Sequence, residues 1–238
     1  MDKHLHMKAE LTENITYRNR THIFSDRVHA GNLLGDILKK RRQKYILFAI
    51  PSGGIPVCYA ISKKLEIDFD ILIARKLQIP WNTEAGFGAI SWDGEVVFNE
   101  RLLYELGLSK DSIDKIIQET QISINRRIIK FRGNKPFPNI KGKKVVLVDD
   151  GLASGYTMLS VVKSLRKRNA EEILIAVPTA SASSIELLSQ HVEEIICLNL
   201  RLGPFFAVAD AYKIWHDLTD EEVMKYLIQK KSNNPLAT

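Results

Sequence analysis

At 238 residues the chain is long enough to bury a full core, and 45% hydrophobic with 26% charged residues is an ordinary globular balance, so extended disorder is not expected. The formal charge of +6 suits an anionic ligand. The basic residues are spread over 39–42, 126–132, 141–144 and 163–168, each at a predicted helix end or before a strand, so solvated helix C-termini account for most of them and nucleic acid is not implied.

The first twenty residues have no apolar core for a secretory signal, and His4 and His6 read as part of a polar tail. FSDRVHAGNLLGDILKKRR has apolar residues at helical spacing, with Ser25 and Asp26 as start signals. KYILFAI is a first buried strand, IPVCYAISKKL a helix, and DFDILIARK a second strand ending in Arg75 and Lys76, which together make a βαβ unit with parallel strands. The uncharged stretch from Tyr45 to Ser62 is interrupted by Pro51, Gly53, Gly54 and Pro56, so it is no membrane span. Leu77 to Phe98, rich in Gly, Trp and Asn, is expected to be a long loop with a short hairpin around Asp93 and Gly94. Leu108 to Phe131 reads as one amphipathic helix, capped by Ser109 or Asp111 and ending before Gly133 and Pro136. Alternation resumes with strand KKVVLVDD, helix SGYTMLSVVKSLRKR, strand EEILIAVPTA, helix SSIELLSQHV and strand EEIICLNL. Leu218 to Lys230 is expected to be a surface helix and SNNPLAT a frayed end. Cys58 and Cys197, far apart and in apolar surroundings, read as buried reduced thiols of a cytoplasmic protein.

The most informative stretch is VVLVDDGLASGYT, Val145 to Thr157. A buried strand delivers Asp149 and Asp150 to its end, and small residues lead into a helix whose first N–H groups and positive dipole end hold a phosphate. Gly151, Ala153, Ser154 and Gly155 let the backbone approach, and the Ser154 and Thr157 hydroxyls add donors. The adjacent carboxylates can accept from ribose hydroxyls or hold a hydrated magnesium ion. A strand end with an acidic helix cap is the bland alternative, but two successive acids before such a loop form a much rarer string. An open α/β sheet binds ligands beyond the carboxyl ends of its strands, where the loops from Pro51, Arg75 and Asp149 can converge.

With those loops in view the chain resembles the type I phosphoribosyltransferases. It is most similar to the bacterial and archaeal group with L-P-R-G-G, R-K, P-x-N-x-E-x-G-x-G-A and V-D-D-G-x-A-T-G motifs, which read here as IPSGG from Ile50, RK at Arg75, PWNTEAGFGA from Pro80 and VDDGLASG from Val148. FSDR near Phe24 and FFAVADAYKIWHDLTDEEV extend the likeness over about residues 24 to 228. The resemblance implies an α/β type I phosphoribosyltransferase fold with a mostly parallel central sheet flanked by helices and a hood or flap. The expected organisation is one domain over 1–238, with an inserted flap and helical subregion at 79–138 and a C-terminal hood at 201–238.

The implied chemistry is transfer of phosphoribosyl from phosphoribosyl pyrophosphate (PRPP) to a nitrogen acceptor, with Mg2+ as cofactor and pyrophosphate as leaving group. Asp149 and Asp150 are then the catalytic and metal-binding pair, directly or through water. Gly151, Ala153, Ser154, Gly155, Tyr156 and Thr157 hold the 5′-phosphate; Ser52, Gly53, Gly54, Arg75 and Lys76 hold the pyrophosphate; and Asn82 and Glu84 are the polar members of the flap. Ser52 departs from the group, which usually has Arg there, and Ser154 replaces Thr while keeping the hydroxyl. Ala153 stands where purine-specific relatives commonly place an Asp, which tilts against 6-oxopurines. Phe205, Phe206, Tyr212 and Trp215 suit either a base platform or core and dimer packing, and a homodimer is expected. Two other readings use the same cradle: a non-catalytic PRPP or nucleotide sensor, and a hydrolase of phosphorylated ribosides.

Overall fold

The structure is a computed structural model, and it describes residues 7–232. The side chains of Glu84 and its neighbour Thr83 lie outside the described part, as do His4, His6 and all of the SNNPLAT end after Ser232, the last residue of the final helix.

Six strands form one parallel sheet: β1 (Glu10–Glu13), β2 (Ile46–Ala49), β3 (Phe69–Ile71), β7 (Lys144–Val148), β8 (Glu172–Ser181) and β9 (Glu194–Arg201), in the order β1-β9-β8-β7-β2-β3. Successive side chains on a strand point to opposite faces, and β7 divides its apolar residues accordingly. Val146 and Val148 join the core beneath α1 (Arg27–Lys40), α2 (Gly54–Leu65) and α7 (Asp220–Ser232). Val145 and Leu147 join the other core, beneath α5 (Tyr156–Lys167) and α6 (Ala182–Ser189). All four are fully buried, which is why the strand reads as a continuous apolar run rather than an alternating one.

Two expectations are corrected. DFDILIARK is not one strand: β3 ends at Ile71, and β4 (Ala74–Ile79) belongs to a separate antiparallel sheet with β5 (Asn82–Ser91) and β6 (Val96–Phe98). Leu72 and Ile73 cross between the sheets buried on all sides, so hydropathy gives no sign of the break. Arg75 and Lys76 therefore sit inside β4, not at the end of a parallel strand. Leu77 to Phe98 is likewise mostly strand. Its glycines mark close cross-strand approach rather than loop: a Cβ on Gly86 would lie 2.1 Å from Lys76 Cγ, and one on Gly88 2.4 Å from the Val97 carbonyl oxygen. The turn expected at Asp93 and Gly94 is present, with Gly94 at φ +87°.

The short helix α3 (Glu100–Leu106) and strand β1 are additional to the elements read from sequence. The long helix α4 (Lys110–Arg132) starts at Ser109, whose hydroxyl accepts from Ser112 N at 3.2 Å, and ends at Gly133. Its apolar face, including Ile124 and Phe131, packs with Leu77, Ile79 and Phe87 of the small sheet. The basic residues at its C-terminal end are not simply solvated: Arg132 makes a bidentate bond to Asp70 at 2.9 and 2.7 Å, with both side chains largely buried. Among the described residues no helix is long and apolar enough to cross a membrane.

Candidate functional site

The carboxyl ends of β2 and β7 lie side by side, and each runs into a helix that starts without a side-chain cap. This is the exception among the described α-helices with an assigned N-cap. Asp26, Asn99, Ser109 and Ser181 cap α1, α3, α4 and α6 by accepting from the backbone N–H three residues on. At α2 and α5 the capping positions are Gly53 and Gly155: at α5 the first N–H groups and the positive dipole end remain available to an external acceptor, whereas at α2 Gly54 N and Ile55 N donate to the Ile50 and Ser52 carbonyls at 3.0 and 3.1 Å and Pro56 has no N–H, so that start offers its dipole end rather than free helical N–H groups. Gly155 has φ +82°, a conformation that side chains rarely adopt.

A cavity of about 480 Å³ opens over these ends. Ile50 and Pro51 line it on the α2 side, and Asp149, Gly151 and the run Leu152–Met158 on the α5 side. The small sheet contributes Ala74, Lys76, Gly86 and Gly88, while Asn99, Leu102 and Val208 complete the wall. The α5 loop is braced from behind: Ser181 Oγ donates to the Ala153 carbonyl at 2.7 Å, Ser184 Oγ to the Leu152 carbonyl at 3.1 Å, and Leu152 N to Thr179 O at 3.0 Å. Every residue expected to hold a 5′-phosphate is thus brought to one cavity by the β7 end and the start of α5.

The two carboxylates have different surroundings. Asp149 accepts from Asp150 N at 2.8 Å and lines the cavity. Asp150 turns toward the α2 loop, where a Cβ on Gly53 would lie 1.8 Å from its Oδ2, so only glycine leaves room for it. Arg27 Nε donates to the same oxygen at 2.8 Å. The guanidinium is held in turn by the His216 carbonyl at 3.0 Å and lies 3.8 Å above the Trp215 ring centroid. Tyr212, also buried, donates its hydroxyl to the Asp150 carbonyl at 2.6 Å. Burial, followed by the charge of Asp150, raises Asp149 well above the usual carboxylate range. Burial raises Asp150 too, and Arg27 only partly offsets it.

The residues expected around the pyrophosphate are less closely grouped. Gly53 and Gly54 abut the acidic pair, with a Cβ on Gly54 falling 2.5 Å from the Val148 carbonyl oxygen. The Pro51–Ser52 peptide is cis, and Ser52 Oγ accepts from Arg127 Nη2 at 2.8 Å. Lys76 lines the cavity, whereas its strand neighbour Arg75 faces α4 and donates to Ser123 Oγ at 2.7 Å. Arg75 and Lys76 also border a second cavity of about 510 Å³ between β4 and α4. Asn82 sits at the β4–β5 turn, accepting from Ala85 N at 3.3 Å, and is not among the residues lining the strand-end cavity. Of the four aromatics, Tyr212 and Trp215 surround Arg27, and Phe205 is exposed.

Arg27 and Arg127 bond the candidate site residues Asp150 and Ser52, contacts that the sequence did not signal. Arg27 lies in the FSDR stretch at the start of a helix, and Arg127 in a basic run that reads as a solvated helix face. Only the fold brings them to residues 123 and 75 positions away.

A family model described as phosphoribosyl transferase domain matches residues 27–212. Two Mycobacterium tuberculosis proteins, from strains CDC 1551 and H37Rv, are named as phosphoribosyl transferases and are each 31% identical over 206 residues, covering 86% of this chain. The match covers 46% of their length, so the chain spans about half of these curated relatives. The crystal structure of TT1426 from Thermus thermophilus superimposes with a TM-score of 0.70 at 28% identity, covering 87% of this chain and 98% of that one. With a parallel sheet whose acidic strand end opens on two uncapped helices, and with these relatives, the chain belongs to the phosphoribosyl transferase domain family, the type I phosphoribosyltransferases its motifs resemble.

Proposed function

We propose that the chain is a magnesium-dependent phosphoribosyltransferase that takes PRPP as donor and transfers its phosphoribosyl group to a nitrogen acceptor, releasing pyrophosphate. The observation that carries this reading is the open α5 start lining one cavity with Asp149, while the α2 loop packs against Asp150 at the neighbouring strand end. A donor with a phosphate at one end and a pyrophosphate at the other needs two anion cradles with hydroxyl acceptors between them.

The α5 start, with Ser154 and Thr157, takes the 5′-phosphate. The α2 start around Ser52, Gly53 and Gly54, with Lys76 opposite, takes the pyrophosphate. Asp149 and Asp150 accept from the ribose hydroxyls. Arg27 keeps Asp150 oriented and limits the repulsion between the two acids. The donor set fits magnesium, a hard cation that keeps most of its waters and shares one or two carboxylates with bound phosphates: Asp149 and Asp150 are adjacent carboxylates, and Asp149 lines the cavity. When bound, that ion neutralises charge developing on the leaving pyrophosphate. An oxocarbenium-like centre must be kept from water, a task we give to the subregion at 79–138 with Asn82 and Glu84, and to the hood at 201–238, from which Val208 already lines the cavity. The two buried thiols suit the cytoplasm. A homodimer completes the proposal.

The test is to incubate protein, Mg2+ and PRPP with a panel of purine bases, pyrimidine bases and amines and to follow pyrophosphate. The expected result is release that depends on one acceptor class. PRPP binding without turnover of any acceptor favours the sensor, and steady release with water alone favours the hydrolase. Failure to bind PRPP or any nucleoside monophosphate at millimolar concentration refutes all three.

A further inference from the structure

Position 52 carries no cation. A guanidinium nevertheless stands there. Arg127 reaches across from α4 to bond Ser52 Oγ at 2.8 Å, and the same nitrogen donates to Asp220 Oδ1 at 3.1 Å.

A plain structural role, an ion pair tying α4 to α7, leaves two observations unexplained. Arg127 Nε is buried with no hydrogen-bond partner. A buried charged donor without an acceptor is costly, and it calls for an explanation such as an absent ion. The charges are also unbalanced. Asp220 is shared between Arg127 and Lys130, whose Nζ lies 2.7 Å from Oδ2, and the charge on Arg127 is disfavoured first by burial, which Asp220 opposes, and then by the charge of Arg75. Two cations thus share one carboxylate beside the loop that opens α2, with Arg75 near Arg127 on its other side. An anion with several oxygens answers both the orphaned donor and the excess charge, and a guanidinium fork is shaped for phosphoryl oxygens.

We infer that Arg127 is a ligand of the PRPP pyrophosphate, supplying from α4 the guanidinium that the α2 loop lacks at Ser52. This rests on the donor assignment proposed above. Its consequence is that the long helix takes part in donor binding and is not only a cover.

The experiment compares two ligands that differ at this end alone. Titrations of PRPP with Mg2+ and of ribose 5-phosphate are run on the wild type, Arg127→Ala, Arg127→Lys and the double variant Arg127→Ala with Ser52→Arg, each checked by thermal melting. The expected result is a Kd for PRPP about tenfold or more weaker in Arg127→Ala, from the loss of a charge-assisted bond. Ribose 5-phosphate affinity is unchanged. Arg127→Lys, which keeps the charge but not the fork, falls between the two and serves if the alanine variant does not fold. Placing an arginine at position 52 recovers PRPP affinity. Equal PRPP affinity in wild type and variants, or parallel loss for both ligands, overturns the inference while leaving the donor assignment standing. A wild type that binds ribose 5-phosphate and PRPP no differently overturns the inference, and one that binds neither overturns both.

Discussion

Gly53→Ala isolates the packing of the acidic pair against the α2 loop. The backbone at Gly53, φ −62° and ψ −35°, is helical and accepts any residue, so the added methyl is opposed only by its neighbours. The nearest is Asp150 Oδ2 at 1.8 Å, against an ordinary contact of about 3.4 Å, so the carboxylate must withdraw by about 1.6 Å. Withdrawal breaks its 2.8 Å bond from Arg27, a buried charge-assisted contact worth about 1.5–3 kcal/mol. Reduced freedom of the unfolded chain returns roughly 0.4–1 kcal/mol. The net loss is about 1–2 kcal/mol, or roughly 2–8 °C in Tm for a chain of this size. Displacing a binding carboxylate by more than 1 Å costs about 100-fold in kcat/KM. Thermal melting, steady-state kinetics and PRPP titration read these effects. An alanine variant that melts at or above the wild-type temperature and binds PRPP equally well refutes the reasoning, because open space at Gly53 would make the substitution stabilising.

Other expectations follow from the same geometry. Arg27→Met leaves Asp150 without its counter-charge, so it should destabilise by about 3–5 kcal/mol as a broken buried pair does, and denaturant unfolding measures it. Asp149→Asn should abolish PRPP binding yet raise Tm at pH 7. The carboxyl is raised in the folded state, so its favourable contribution is complete only below the unfolded value near 3.9 and is lost as pH rises through the folded value. The gain in Tm should therefore shrink toward pH 4, and a pH-independent difference contradicts it. Asp70 behaves oppositely. Burial alone would raise it, but the Arg132 fork and the Ile71 N–H hold it below the usual range. Its contribution is present above the unfolded value and lost as pH falls through the folded one, so Asp70→Asn should destabilise at neutral pH and progressively less in acid.

How much was legible in the chain differs between the two sheets. Strands such as β7 are buried on both faces, and helices with a single apolar stripe separate them, so composition and periodicity locate the parallel sheet. The antiparallel sheet was hidden by its own packing. Gly86 and Gly88 sit where strands approach too closely for a Cβ, and glycine reads locally as loop. Leu72 and Ile73 look like strand because a buried crossing is as apolar as a buried strand. At the site, the α5 cradle was legible because its residues are consecutive. Arg27 and Arg127 were not, since their partners are set by tertiary contacts, and a basic residue on a helix carries no local sign of facing inward.

The central claim is that one donor spans both helix starts. A crystal structure with PRPP and Mg2+ bound tests it most directly. The account predicts the 5′-phosphate on the backbone of 153–157, the ribose hydroxyls on Asp149 and Asp150, and the pyrophosphate against 52–54. A donor seated elsewhere, for instance in the cavity between β4 and α4, contradicts it.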